Sequence, residues 1–114
     1  TDFVHVIVGP SWRPAYIVAD QSIDYVYIGG DHRYSGVKRD LLAWLPKIRK
    51  GGVICGHAYE RYVQPDTEEW RSLCAEPEID YYARANCHFG VNRALHELIP
   101  GDIKVQGNCW GAVL

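Results

Sequence analysis

Two apolar strand-like runs, separated by an amphipathic segment, constrain the fold of this sequence more than any other feature. The first run, Ile23 to Ile28 (IDYVYI), is nearly continuous in apolar and aromatic residues and stops at a Gly-Gly pair. Such a run is typical of a strand covered on both faces of a parallel sheet. The second run, Val53 to His57 (VICGH), follows a Lys-Gly-Gly turn at 50–52. Because strand, helix and strand with short connections form a right-handed βαβ unit by default, the sequence predicts the α/β class.

The segment between the two strands has the pattern of a helix that packs on a sheet. Ser35 is a residue type that can cap its N-terminus. Pro46 is expected to end or kink it. Its apolar residues recur at spacings of three and four and so share one face: Val37, Leu41, Trp44, Leu45 and Ile48.

The flanking segments add further elements. Before the βαβ unit, Phe3 to Val8 predicts a strand, and Trp12 to Ala19 predicts a brief helical segment with Pro14 in its first turn. After it, Asp66 or Thr67 can cap a helix that runs toward Cys74.

The last quarter of the chain predicts a helix and a hairpin. Phe89 to Leu98 repeats its apolar residues with helical period, so we expect a second helix on the sheet. Ile103 to Val105 and Trp110 to Val113 flank a Gly-Asn pair at 107–108, which predicts an antiparallel hairpin at one edge of the sheet.

Composition and charge narrow the function classes. The chain has 114 residues, enough for one domain with a core. Its net charge of -2 supplies no basic field for a phosphate backbone, so we expect no nucleic-acid partner. No window reaches the ~20 apolar residues of a membrane span, and no secretory signal is visible, so the expected location is the cytoplasm and no membrane contact is expected.

The four cysteines form no C-x-x-C pair, and reduced, mostly buried thiols are the simplest interpretation. Cys55, His57, Cys87 and His88 are zinc-ligand residue types, but they lack the spacing of a zinc finger. No metal site is predicted from them. The aromatic residues of the middle segment indicate either a binding face or an association surface: Tyr59, Tyr62, Trp70, Tyr81 and Tyr82.

Asp31, His32 and His57 follow the ends of the two central strands. A histidine near a carboxylate titrates near neutrality and can accept a substrate proton, so these three are the candidate catalytic residues. The alternatives are that Asp31 caps the turn before the helix with His32 packed on it, and that His57 ties two loops together by a hydrogen bond.

The segment from Ser22 to Tyr59 (SIDYVYIGGDHRYSGVKRDLLAWLPKIRKGGVICGHAY) resembles the central part of class I S-adenosylmethionine-dependent methyltransferases. The likeness is to the subgroup with I-D-G-D-H and G-G-x-x-x-G-H-D strand ends. It extends through FGVNRAL at 89–95 and the closing hairpin, and upstream through VIVGPSWRPA at 6–15. The resemblance implies a Rossmann-like sheet, a small-molecule O-methyltransferase activity, and S-adenosylmethionine contacts from Ser11 and Trp12. Trp12 could alternatively cover the sheet edge.

The pattern of the resembled family is incomplete in this chain. Gly29 and Ala58 stand where the family has acidic residues that resemble metal ligands, so no metal is expected. The family's glycine-rich cofactor loop has no counterpart, and the sequence contains no Met, so residues 1–114 are expected to be a partial methyltransferase-like domain. The alternative to an enzyme is a non-catalytic binding module of the same fold. Because exposed strand edges tend to pair, we expect a homodimer or larger homo-oligomer.

Overall fold

The fold combines one mixed sheet with helices, and the expected α/β class is confirmed. The computed structural model describes residues 9–114, so the strand predicted at 3–8 lies outside the described residues. In chain order the strands and α-helices are β1 (Ile23–Ile28), α1 (Tyr34–Trp44), β2 (Ile48–Gly56), α2 (Glu68–Cys74), α3 (Phe89–Leu98), β3 (Lys104–Gln106) and β4 (Cys109–Val113). The segment predicted as helical at 12–19 is a 3-10 turn at Arg13–Ile17.

The sheet has the order β1-β2-β4-β3. β1 and β2 are parallel, as the predicted βαβ unit requires, and β4 is antiparallel to both β2 and β3. The C-terminal hairpin therefore lies at one edge of the sheet, as predicted, and Gly107 at its turn has a φ of 61°. β1 forms the other edge among the described strands.

Two boundaries differ from the prediction. β2 begins at Ile48 rather than Val53, and the Lys-Gly-Gly turn is absorbed as an irregularity in its pairing with β1. α1 begins at Tyr34 with no side-chain cap, and the Ser35 hydroxyl instead donates to Glu78. Only the cap of α2 is as predicted, since the Thr67 side chain accepts the Trp70 N–H at 3.1 Å. As expected, α1 ends before Pro46, which lies in a 3-10 turn.

The main core lies between the sheet and the pair α1 and α3. Leu41 of α1, Ile54 of β2, Leu95 of α3 and Trp110 of β4 are buried there. The opposite face of the sheet is largely bare among residues 9–114. Tyr25 and Tyr27 of β1 and Val113 of β4 point to it and are exposed. The prediction that β1 is covered on both faces is therefore wrong for the described part of the chain, because its alternate residues are solvated.

Two other predictions, that the cysteines are mostly buried and that the aromatic residues of the middle segment form one surface, are also corrected in part. All four cysteines are free, but only Cys87 is buried, and Cys109 is exposed. The aromatic residues of the middle segment do not share one face. Tyr59 and Tyr82 are core residues, whereas Tyr62 and Tyr81 are exposed. No helix among residues 9–114 is long and apolar enough to cross a membrane.

Candidate functional site

The carboxyl ends of β1 and β2 bring the three candidate catalytic residues together. Asp31, His32 and His57 line one small cavity with Val91 of α3 and Trp110 of β4. Its volume is about 10 Å³, which is roughly the space for one water molecule. The sequence thus predicted which side chains meet, but in this conformation the cavity between them does not admit a substrate.

Asp31 makes the contacts of a residue that closes a turn. Its carboxylate accepts the Arg33 backbone N–H at 2.9 Å and pairs with the Arg33 guanidinium at 2.9 to 3.2 Å. The hydrogen bonds from the Arg33 side chain hold the pKa of Asp31 below its ordinary value. The side chain also packs on the start of α1, since a Cβ at Gly36 would lie 2.6 Å from it. A carboxylate held in this way is a weak base at neutral pH.

The two histidines contact each other edge to face. The ring centroids of His32 and His57 are 4.9 Å apart at an interplanar angle of 83°. His57 Nδ1 lies 2.9 Å from the Tyr27 hydroxyl, which connects the loop after β2 to β1. Burial lowers the pKa of His32, and the neighbouring His88 ring lowers it further. The neutral imidazole that this favours is the form that accepts a proton.

Residues far along the chain complete a larger polar cluster at the same strand ends. His88, at the N-terminus of α3, contacts His32 with ring centroids 4.9 Å apart. Glu60 accepts from both the backbone N–H of His88 and its ring Nδ1. Asp80 lies 3.4 Å from His88 Nε2 and 3.9 Å from His32 Nδ1. Sequence reasoning noted His88 only as a zinc-ligand residue type and missed Glu60 and Asp80, because nothing in their local sequence shows that their loops return to the strand ends.

Ser11 and Trp12, the two residues expected to contact the cofactor, line different grooves. Ser11 lines a groove of about 320 Å³ along β1 together with Gly29, Gly30 and Asp40. Its hydroxyl donates to Asp40 at 2.5 Å, and its carbonyl accepts from the Trp44 indole at 2.8 Å. Burial raises the pKa of the Asp40 carboxyl, although the hydrogen bond from Ser11 opposes this effect.

Trp12 lines a second groove, of about 730 Å³, between the Arg13–Ile17 turn and α1. The guanidinium of Arg39 lies 5.2 Å from the centroid of the Trp12 ring. This groove is mostly apolar and includes Ala15, Tyr16 and Leu42. Its lining includes no residue of β1 or β2, at whose carboxyl ends ligands of open α/β sheets bind.

The two positions without the expected acids have distinct local structures. Ala58 is buried and has a φ of 64°, a left-handed conformation that Asp adopts more readily than Ala. Gly29 follows β1, where an added Cβ would lie 3.0 Å from the Tyr27 ring. Neither position supplies an oxygen ligand from its side chain.

A comparison with models of protein families shows the family to which the chain belongs. A family model described as a methyltransferase domain matches residues 1–59, which include β1, α1, β2 and the candidate residues Ser11, Trp12, Asp31, His32 and His57. The chain belongs to this methyltransferase family. The mixed sheet of four strands within residues 9–114 is compatible with a Rossmann-like methyltransferase fold. No curated protein and no solved structure matches the chain.

Proposed function

We propose that this methyltransferase transfers the methyl group of S-adenosylmethionine to a hydroxyl of a small molecule. The observation that carries the proposal is the meeting of Asp31, His32 and His57 at the carboxyl ends of β1 and β2 in a chain of the methyltransferase family. Ligands of open α/β sheets bind at these strand ends. Because the sequence has no glycine-rich cofactor loop, we further propose that another segment of this chain, or the second copy in a homodimer, completes the cofactor site.

The groove along β1 fits part of the cofactor. Its volume of about 320 Å³ is at the lower end of the range for small-molecule sites, ~300–1,000 Å³. An added Cβ at Gly30 would lie 3.2 Å from Asp40 Oδ2 and 3.4 Å from Ser11 Oγ, so a glycine keeps this end of the groove open. Ser11 and Asp40 would hold the polar part of the adenosyl group. When bound, S-adenosylmethionine supplies an electrophilic methyl group on its sulfonium.

His32 and His57 are the proposed proton acceptors. Methyl transfer to a hydroxyl forms an oxygen–carbon bond, breaks the sulfur–carbon bond and releases the hydroxyl proton, which an imidazole can accept. Burial favours the neutral form of His32, and the Tyr27 hydroxyl fixes the orientation of His57. Asp31 holds the loop in place and does not accept the proton, because its carboxylate is already paired with Arg33.

Two substitutions on adjacent residues test where the cofactor binds. Ser11→Ala is expected to weaken binding of S-adenosylhomocysteine, because it removes a hydroxyl from the groove beside Gly30. Trp12→Ala is the matched control, since its ring lines the groove on the other side of α1. The reverse pattern, with binding lost only in Trp12→Ala, would assign the cofactor to the Trp12 groove instead.

Activity is tested with labelled S-adenosylmethionine and a panel of hydroxylated small molecules. His32→Asn and His57→Asn are expected to lower the rate of methyl transfer while S-adenosylhomocysteine binding is kept, since proton transfer contributes ~10²–10⁴-fold to a rate. Unchanged rates of methyl transfer in both variants would show that neither histidine accepts the proton.

The bare face of the sheet favours a second candidate function, a non-catalytic module that self-associates. Tyr25 is 57% exposed, Tyr27 53% and Val113 69%, and they lie on the same face of the sheet, on the two strands that flank β2. We propose that a second copy of the chain covers this face in a homodimer. Light scattering tests it, and Tyr25→Glu with Tyr27→Glu is expected to give monomers. A wild-type chain that is monomeric at high concentration would contradict it.

We also propose a cytoplasmic location. The four free thiols fit a reducing compartment. Fractionation of the source cells, with detection of the chain by antibody, tests this location, and recovery outside the cytoplasm would contradict it.

A further inference from the structure

The polar cluster behind the strand ends has the composition and spacing of a metal site. Among the described residues, His32, Asp80 and His88 each place a ligand atom within 4.8 Å of the other two. We propose that these three side chains bind a divalent first-row transition metal, with Zn²⁺ as the best match. Asp80 and His88 lie beyond the residues that match the methyltransferase family, and metal binding can be tested without methyl transfer. With the ion bound to His32, His57 is the remaining proton acceptor of the proposed reaction.

The distances between the ligand atoms fit a tetrahedral ion. Zinc bonds to imidazole nitrogen and carboxylate oxygen are about 2.0–2.2 Å, which puts neighbouring ligand atoms of a tetrahedron about 3.4 Å apart. Asp80 Oδ1 lies 3.4 Å from His88 Nε2 and 3.9 Å from His32 Nδ1. All three ligand atoms lie within 4.8 Å of one another, so no edge has to shorten by more than about 1.4 Å to match the tetrahedron.

Glu60 supplies the supporting contact that metal-binding histidines usually have. A ligating imidazole normally donates its other ring N–H to a carboxylate or carbonyl, which fixes the tautomer and makes the ligating nitrogen more basic. His88 Nδ1 is 2.5 Å from Glu60 Oε1, so Nε2 is the nitrogen left to bind the ion. Glu60 is also held by the His88 backbone N–H at 3.1 Å.

His32 lacks the hydrogen bonds that a purely structural histidine would be expected to have. Its Nε2 is buried without a hydrogen-bond partner in the described part of the chain. Its Nδ1 is 3.9 Å from Asp80 Oδ1, which is too far for a hydrogen bond. An ion between His32, Asp80 and His88 gives Nδ1, the nitrogen nearer to Asp80, a partner and neutralises the carboxylate.

The cluster is open on one side. The side chains of His32 and His88 are 24% and 20% exposed, whereas Asp80 is 58% exposed, so the ion is reached from solvent past Asp80. Three protein ligands leave a coordination position for water or for an oxygen of a bound molecule, as in catalytic rather than structural zinc sites. The edge contacts of His57 with His32 and of Tyr81 with His88 hold the rings on their other sides.

Titration of the metal-free chain with ZnCl₂ and CoCl₂, with no polyhistidine tag and no cofactor present, tests the proposal. We expect one equivalent of Zn²⁺ by calorimetry and elemental analysis, and visible absorption typical of tetrahedral Co²⁺. His88→Gln and Asp80→Asn are expected to abolish this binding. Glu60→Gln should weaken it by ~10–100-fold, as loss of a supporting carboxylate does. His96→Gln, further along α3, is the matched control and should bind normally.

Two results would overturn the proposal. One is the absence of stoichiometric binding by the folded chain, and the other is binding that persists unchanged in His88→Gln and Asp80→Asn. Circular dichroism of each variant shows whether it is folded. Asp80 is exposed, so its amide variant keeps the test valid even if a substitution at His88 prevents folding.

Discussion

The contact between α3 and the loop that carries His32 depends on Gly90, and Gly90→Ala tests this packing. An added Cβ at Gly90 would lie 2.5 Å from the Tyr34 backbone N, 3.0 Å from the Arg33 carbonyl carbon and 3.0 Å from the His32 carbonyl oxygen. All three are backbone atoms, so no side-chain rotation relieves the contact. The helix and the loop must therefore move apart.

Two opposing effects set the expected change in the free energy of unfolding of Gly90→Ala. Replacing Gly by Ala inside a helix gains ~1 kcal/mol of helix propensity. Overpacking of a well-packed contact costs ~1–3 kcal/mol. Because the contact of 2.5 Å is shorter than any ordinary Cβ contact, we expect the upper part of that cost and a net loss of ~2 kcal/mol in the free energy of unfolding.

Urea unfolding followed by tryptophan fluorescence measures this loss. Gly111→Ala in β4 is the matched control, since its Cβ would meet Cys55 Cβ at an ordinary 3.5 Å. The control is expected to unfold close to wild type. If Gly90→Ala were as stable as wild type or more stable, the close packing of α3 on the His32 loop, and with it the geometry of the site, would be refuted.

Three further perturbations have defined outcomes. Asn92→Ala removes the buried amide that donates to the Tyr59 carbonyl at 2.8 Å and should cost ~1–3 kcal/mol in urea unfolding, whereas a neutral result would exclude that hydrogen bond. Thr67→Ala removes the side chain that accepts the Trp70 N–H and should cost ~0.5–2 kcal/mol, with Thr67→Ser close to wild type; equal losses in both would argue against capping. Burial raises the pKa of Tyr59 from 10.0 to about 12, so the unfolded state releases its proton first and stability falls as the pH rises from 10 toward 12. Tyr59→Phe should lessen this alkaline loss, and identical pH profiles of the two proteins would contradict the assignment.

The elements that local pattern specifies were predicted well. β1 at 23–28 and α3 at 89–98 have the predicted bounds, because turn residues and periodicity mark both ends. The meeting of Asp31, His32 and His57 was also predictable, since the carboxyl ends of parallel strands lie at the same edge of a sheet.

Features that depend on long-range packing were not predictable. The loops that carry Glu60 and Asp80 return to the strand ends through contacts with His88, and no local residue pattern indicates that path. The apolar run of β1 predicted cover on both faces, but the pattern of a strand cannot show whether a second layer is present. Ser11 and Trp12 are adjacent in sequence, yet they line different grooves, and each groove is lined by a different set of α1 residues.

The central claim is that this chain uses a methyltransferase cofactor site. Calorimetric titration with S-adenosylhomocysteine, with and without Mg²⁺ and with the assembly state fixed by light scattering, tests it most directly. The account predicts saturable binding that is independent of Mg²⁺, because Gly29 and Ala58 provide no side-chain oxygen for that ion. A folded chain that binds no S-adenosylhomocysteine at millimolar concentration would contradict it and favour the non-catalytic module.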